Sequence, residues 1–131
     1  MASRQVAVDT PIEAIVTDIE GTTTAIAFVH EVLFPYARKH LPDFVAIPGH
    51  EPEVRGLLDA TKREAGDPAM DDEAAVTTLS RWIDEDRKVT PLKALQGMIW
   101  ADGFRAGDYR GHFYGDAVAG LRRWHAAGKK L

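Results

Sequence analysis

The sequence of 131 residues contains 45% hydrophobic and 27% charged residues, proportions that are typical of a soluble globular domain and that exclude a disordered tail. A formal net charge of −4 without a basic stripe argues against a nucleic-acid surface, and the absence of cysteine excludes a disulfide framework and a thiol site. No apolar run approaches the roughly 18 residues of a membrane span and no signal peptide is recognisable, so we expect a cytoplasmic protein without a membrane partner.

The segment IEAIVTDIEGTTT, residues 12–24, is the part of the sequence that says most about fold and function. Its nearly continuous apolar series up to Ile19 predicts a strand that is buried on both faces of a parallel sheet. Asp18 and Glu20 are two residues apart, so in an extended chain both carboxylates point to the same side, just beyond the strand. Gly21 permits a sharp turn, and the three threonines that follow offer hydroxyl and N–H groups for an anion or for a helix cap.

Two carboxylates in this arrangement suit the hydrolysis of a phosphate ester. Asp18 could act as a nucleophile that forms an acyl-phosphate, and Glu20 could protonate the leaving oxygen and later deprotonate water. Carboxylate oxygens are also ligands that Mg²⁺ prefers. The alternative is a strand that ends in a polar turn with solvated carboxylates.

Helical periodicity predicts that most of the remaining chain is helical. The predicted segments are Ile26 to Leu33 with a second piece from Pro35, a helix opened by Pro52, a helix capped by Asp71 or Asp72, a helix begun by Thr90 and Pro91, and a helix capped by Asp116 and ended by Gly128. Loops are predicted from Leu41 to Glu51 and around the glycines at 103, 107, 111 and 115.

Histidines near the motif are candidate acid/base groups, but a structural or solvated role is the favoured interpretation. This applies to His30 and His40 in the first helical segment. It applies also to His112 and Arg110, which could face a substrate only if the glycine-rich loop borders a cleft.

Asp18-Ile19-Glu20-Gly21-Thr22 resembles motif I of the haloacid dehalogenase-like superfamily of phosphohydrolases, with Glu in place of the usual second Asp. The segments FVHEVLFPYAR (28–38), LQGMIW (95–100) and FRAGDYRGHFYGD (104–116) are similar to one member family, the enolase-phosphatases of methionine salvage, also called acireductone synthases. These similarities run in order through nearly the whole chain.

The resemblance implies roles for three residues. Asp18 would be the nucleophile and a ligand of Mg²⁺, Glu20 would be the acid/base with its backbone carbonyl on the metal, and Thr22 would support the loop. It further implies a small phosphorylated diketone, 2,3-diketo-5-methylthiopentyl 1-phosphate, which is enolised and dephosphorylated. We expect no nucleic-acid or membrane partner, and a monomer for the full-length protein.

The implied fold class is α/β, a haloacid dehalogenase-like Rossmannoid core with an inserted, mainly helical cap. We assign residues 1–25 to the first core strand and catalytic loop, 26–107 to the cap, and 108–131 to the return to the core with a helix and the start of a second strand. The family's phosphate-binding Ser or Thr, its Lys and its later metal-binding Asp have no counterpart here. Lys129 and Lys130 precede the second strand and would lie at its wrong end. The core is therefore expected to be incomplete, and the chain alone to be inactive or nearly so. We expect the chain alone to self-associate, to pair its N-terminal segment differently, or to be ordered largely in the cap.

Two other functions are also compatible with the sequence. Motif I alone does not choose a substrate, so the protein could be another phosphatase of the same superfamily. A non-catalytic helical binding module, in which the acidic turn merely ends a strand, is the alternative from a different class.

Overall fold

The structure is a computed structural model that describes residues 11–48 and 51–131, and it is mainly helical. The helices are α1 (Ile26–Phe28), a π-helical turn (Val29–Leu33), α2 (Phe34–Val45), α3 (Glu53–Glu64), α4 (Asp72–Asp84), α5 (Thr90–Ala106) and α6 (Gly115–Ala126). None of these described helices has the length and apolar character needed to cross a membrane. The chain divides into two compact units, which we call the terminal unit (residues 11–26 and His112–Leu131) and the helical unit (Ala27–Gly111).

The helical unit has a closed apolar core. Helix α5 packs against α2, α3 and α4, and α4 also packs against α2 and α3. The apolar stripes predicted from the sequence supply this core. Its fully buried large side chains are Trp82, Leu41, Leu58, Leu79, Leu92, Leu95, Ile99 and Val54. Burial of such stripes, rather than intrinsic propensity, supplies most of the stability of helices this short.

The first helical segment is longer than the sequence predicts. The predicted break near Pro35 is a π-helical turn, in which the N–H of Phe34 donates to the carbonyl of Val29. Helix α2 then continues through Pro42 to Val45, so the prediction of a loop from Leu41 onward is wrong for residues 41–45. Leu41 and Phe44 are buried in the core on the inner face of this last stretch, and their burial offsets the backbone hydrogen bond that proline cannot make.

Capping residues define one helix start and one helix end, whereas α3, α5 and α6 have no side-chain hydrogen bond at their N-caps. Asp71 caps α4, since its side chain accepts a hydrogen bond from the N–H of Ala74, and Gly107 ends α5 with φ of +73°. Helix α5 extends to Ala106, so Phe104 is helical rather than part of a loop. Asp116 lies inside the first turn of α6 and is not its N-cap, which is Tyr114.

An aromatic cluster packs closely around Gly103 in the helical unit. A Cβ atom at this position would lie 2.6 Å from Cε1 of Tyr109 and 2.8 Å from Cε1 of Tyr36. The Tyr36 hydroxyl donates a 2.6 Å hydrogen bond to Asp108, and this bond, with burial, raises the pKa of Tyr36 to about 12. Glycine is therefore required here by close packing.

The terminal unit is built differently, because its motif segment makes only isolated pairings. Ala14 forms a parallel bridge with Lys130, in which the N–H of Ile15 donates to Lys130 and the N–H of Lys130 donates to Glu13. The prediction of a buried strand is not realised in the described residues, since Val16 is 99% exposed. A parallel strand is covered only when strands and helices flank it, and residues 13–15 pair here with one neighbour.

The boundaries between the two units fall at 26/27 and 111/112, whereas the predicted domain limits are 25/26 and 107/108. The assignment of the helical unit as a cap and of the terminal unit as part of an α/β core nevertheless stays a prediction. No extended strand is formed within residues 11–48 and 51–131, and the predicted lead-in at residues 1–10 lies outside the described part of the chain.

Candidate functional site

A tight turn at residues 19–24 follows the acidic motif. The carbonyl of Ile19 accepts hydrogen bonds from the N–H groups of Thr22, Thr23 and Thr24 at 3.3, 3.1 and 3.1 Å, and the N–H of Gly21 donates to Thr24 at 2.8 Å. Gly21 has φ of +74°, which favours glycine. The three threonine amides are engaged inside the turn, so the geometry does not present them to an anion.

The two predicted catalytic residues, Asp18 and Glu20, precede and follow Ile19 in sequence, and both are exposed. Oδ1 of Asp18 accepts a 2.8 Å hydrogen bond from the N–H of Ile19, and its backbone carbonyl accepts one from the Thr17 hydroxyl. The second carboxylate oxygen of Asp18 takes no part in that bond, and the residue is exposed. The structure therefore places Asp18 where a substrate or an ion can reach it from solvent.

The donor set at the turn is compatible with Mg²⁺ but does not form a cage. No group of three or more acidic or histidine side chains able to hold a metal occurs within the described ranges. Mg²⁺ commonly takes one or two carboxylate ligands and keeps several waters, so the exposed Asp18 carboxylate fits its requirements. The turn uses the carbonyls of Ile19 and Thr24 as acceptors rather than that of Glu20, which suits the predicted role of the Glu20 carbonyl as a ligand.

Beside the turn lies an open groove of about 630 Å³ within the terminal unit. Its lining residues are Thr17, Gly21, Thr22, Thr23, Tyr114, Asp116, Ala117, Gly120, Leu121, Arg123 and Trp124. Thr22 is thus a groove residue, whereas Asp18 and Glu20 are not among the residues that line it. The groove and the acidic motif share the turn but are not one cavity.

Residues 112–114 hold the far end of the turn, a contact that the sequence interpretation did not find. The Thr24 hydroxyl donates to the carbonyl of His112 at 2.6 Å, the N–H of Ala25 donates to Nδ1 of His112 at 3.0 Å, and the N–H of Tyr114 donates to Thr23 at 2.9 Å. The two His112 contacts join residues 88 and 87 positions apart. No local periodicity could have indicated them.

Three other residues considered from the sequence contact neighbours outside the acidic end of the motif segment. His30 makes an edge contact with Phe34, and His40 packs on Tyr36 at 4.2 Å, as expected for structural side chains in the helical unit. Lys129 donates from Nζ to the carbonyl of Ile12, six residues before Asp18 in sequence. Lys129 thus contacts the beginning of the motif segment, which agrees with the prediction that it does not serve the acidic end.

Proteins of similar sequence show which family the chain resembles. The chain is 58% identical over 120 residues to enolase-phosphatase E1 of Pseudomonas aeruginosa (strain UCBPP-PA14), an alignment that covers 92% of this chain and 53% of that protein. This chain is homologous to part of enolase-phosphatase E1. Enolase-phosphatase E1 of Methylococcus capsulatus is 56% identical over 120 residues, with the same coverage of 92% and 53%. The resemblance to the enolase-phosphatases is therefore confirmed, and the chain spans about half the length of these curated relatives.

A solved structure agrees with the sequence relatives. The UTR4 protein (Unknown transcript 4 protein) of Saccharomyces cerevisiae matches with a TM-score of 0.65 and 30% identity, over 80% of this chain and 44% of that one. This likeness supports a haloacid dehalogenase-like fold, although the described residues do not themselves form the α/β core. No family model matches the chain.

Proposed function

We propose that this chain is the part of a magnesium-dependent enolase-phosphatase that carries the nucleophile and the cap, acting on 2,3-diketo-5-methylthiopentyl 1-phosphate in methionine salvage. The 58% identity to enolase-phosphatase E1 carries this proposal. The exposed Asp18 carboxylate at the start of a tight turn supports it, because a nucleophile must be accessible to phosphorus.

In the phosphatase step, Asp18 attacks phosphorus and the bond to the substrate oxygen breaks, which gives an acyl-phosphate. Glu20 donates a proton to the leaving oxygen and then removes a proton from the water that hydrolyses the acyl-phosphate. Each half of the reaction thus regenerates one of the two carboxylates.

The carboxylate of Asp18 and the carbonyl of Glu20 would hold Mg²⁺ together with water molecules and further ligands. A bound Mg²⁺ supplies neutralisation of phosphate charge and polarisation of a substrate carbonyl. We assign no residue of this chain to the proton transfer of the enolisation step.

We also propose a binding partner, a cellular compartment and an oligomeric state for the protein. The partner is a small phosphorylated diketone, the compartment is the cytoplasm, and the full-length protein is a monomer. The net charge of −4 without a basic stripe argues against a nucleic-acid partner, and the absence of cysteine is compatible with a reducing cytoplasm.

The test is phosphate release from the phosphorylated diketone with and without Mg²⁺, for this chain and for one extended to the length of the relatives. We expect metal-dependent release from the extended chain and little or none from the 131 residues alone. In the extended chain, Asp18→Asn should lower kcat roughly 10³-fold or more and Glu20→Gln about 10²- to 10⁴-fold.

Glu13→Gln is the matched control, because Glu13 is an exposed acid of the same segment whose backbone, not side chain, pairs with Lys130. It should leave kcat unchanged. Activity that survives Asp18→Asn would remove the nucleophile assignment. If neither chain releases phosphate, the non-catalytic binding module becomes the better interpretation.

A further inference from the structure

His112 holds the motif turn with both its backbone and its ring. Its carbonyl accepts the Thr24 hydroxyl at 2.6 Å and its Nδ1 accepts the Ala25 N–H at 3.0 Å, so two consecutive residues are fixed by one histidine. Thr24 is only 6% exposed, which shields its bond from competition with water. The imidazole also makes an edge contact with Tyr114, with ring centroids 5.1 Å apart, and this contact restrains the plane of the ring.

The direction of the bond between Ala25 and the His112 ring determines which tautomer a neutral imidazole adopts. A backbone N–H can only donate, so Nδ1 of His112 must present its lone pair to Ala25. In a neutral imidazole one nitrogen carries the proton, which therefore resides on Nε2. A side chain that lacks an acceptor at the Nδ1 position cannot replace this contact.

A continuous series of bonds leads from the backbone carbonyl of His112, whose ring holds the adjacent Ala25, to Asp18. Thr24, whose hydroxyl is held by His112, donates its own N–H to the carbonyl of Ile19. The N–H of Ile19 in turn donates to Oδ1 of Asp18 at 2.8 Å. Loss of the ring contact frees the N–H of Ala25 next to this end of the turn, while the bonds from Thr24 to the His112 carbonyl and from Tyr114 to Thr23 remain. The other end of the turn carries the carboxylate. Small errors in the position of a reacting group are costly for catalysis.

We propose that His112 is a positioning residue, which through Thr24 and Ala25 holds the turn so that the Asp18 carboxylate keeps its reactive orientation. The role rests on the proposed function, in which Asp18 is the nucleophile. The hydrogen-bonded state of His112 does not rest on it, so the two can be tested separately.

The first experiment uses the 131-residue chain and needs no activity. Amide hydrogen exchange of Ala25 and the ¹⁵N resonances of the His112 ring are measured in the original chain, in His112→Ala and in His112→Asn, whose Oδ1 can accept at the place of Nδ1. We expect an Nε2–H ring, exchange of Ala25 about fivefold faster in His112→Ala, and near-original protection in His112→Asn. His125→Ala, at an exposed histidine of α6, is the control and should leave Ala25 unchanged.

The second experiment measures kcat and KM in the chain extended to the length of the relatives. His112→Ala should lower kcat about 10- to 100-fold with little change in KM, and His112→Asn should restore most of it. Unchanged exchange of Ala25 in His112→Ala would overturn the hydrogen-bond assignment. Faster exchange with unchanged kcat would overturn the positioning role. An inactive original extended chain would overturn the proposed function and with it the positioning role of His112, while the exchange result would stand.

Discussion

The helical unit and the terminal unit differ in how they bury their apolar side chains. In the helical unit, Leu79 and Leu95 are completely buried and Trp82 is 1% exposed. In the terminal unit, Ile12 and Ile19 are each 62% exposed and the most buried residues are Thr23, Thr24 and Gly120. The same chain therefore contains one unit with a core of its own and one whose apolar segment lies open.

The physical reason is the range of the contacts that each kind of structure needs. A helix satisfies its own backbone hydrogen bonds, and four neighbouring helices can bury one another's stripes within a short stretch of sequence. A parallel strand needs partners on both sides and crossover helices on both faces. Residues 13–15 find one such partner at Lys130. Four mutational comparisons test this difference, and they are arranged from the largest expected effect to the smallest.

Leu79→Ala should destabilise the helical unit by about 2–5 kcal/mol, because it removes a fully buried side chain and leaves a cavity. Chemical denaturation followed by circular dichroism at 222 nm would measure the loss. A loss below about 1 kcal/mol would show that the core of this unit is looser than its burial indicates.

Gly103→Ala should cost about 1–3 kcal/mol, since the new Cβ would lie 2.6 Å from Tyr109 and 2.8 Å from Tyr36. Gly97→Ala is its control in the same helix, because nothing lies within 4 Å of a Cβ at that position. The control should stabilise the protein by about 0.5–1 kcal/mol through helix propensity. Equal effects of the two substitutions would contradict the close packing around Gly103.

Asp72→Asn should destabilise the helical unit by about 0.5–1 kcal/mol at neutral pH, a modest value because the Asp72 side chain is 44% exposed. Asp72 accepts two hydrogen bonds from Arg55 and one from Lys62, and these bonds hold the pKa of Asp72 well below its ordinary value of 3.8. Since the folded pKa is the lower one, the stabilisation is present above about pH 4 and is lost as the pH falls through the folded pKa.

The difference in melting temperature between Asp72→Asn and the original chain should accordingly shrink as the pH falls from 7 to about 2. Glu73→Gln, at an exposed acid in the same helical turn, provides the comparison and should show a smaller difference. A difference for Asp72→Asn that is independent of pH would exclude the ion pairs as its cause.

Val16→Ala should change the stability by less than about 0.5 kcal/mol, because Val16 is 99% exposed. Val16→Ala removes two carbon atoms and Leu79→Ala removes three, so the two variants differ mainly in the burial of the side chain. Denaturation of Val16→Ala beside Leu79→Ala is the measurement. A loss above about 1 kcal/mol would show that the motif segment is covered in solution, for instance by the self-association that we predict for this chain.

Much of the helical unit could be predicted from the sequence, because its signals are local. The stripe of Leu79, Trp82 and Ile83, the cap at Asp71 and the helix start at Thr90 and Pro91 depend on residues within a few positions of one another. The predictions were wrong where distant packing decided the outcome. Helix α2 continues through Pro42 because Leu41 and Phe44 reach the core. Helix α5 runs on through Gly103 to Ala106, and Gly103 packs closely against Tyr36 and Tyr109.

The candidate site divides in the same way. Motif spacing identified Asp18, Glu20 and the turn at Gly21, and the turn is present with the required positive φ. The catalytic roles of Asp18, Glu20 and Thr22 stay predictions. The contacts of His112 with Thr24 and Ala25 could not be predicted from spacing, since chain closure brings these residues together from opposite ends of the sequence.

The sequence by itself determined the helices, their apolar faces and the relationship to the enolase-phosphatases, since all three depend on residue order along short segments. Only the tertiary structure decided how far the motif segment is paired and what holds its turn. Pairing and burial of a strand depend on neighbours that are remote in sequence, and here they are Lys130 for the segment and His112 for the turn.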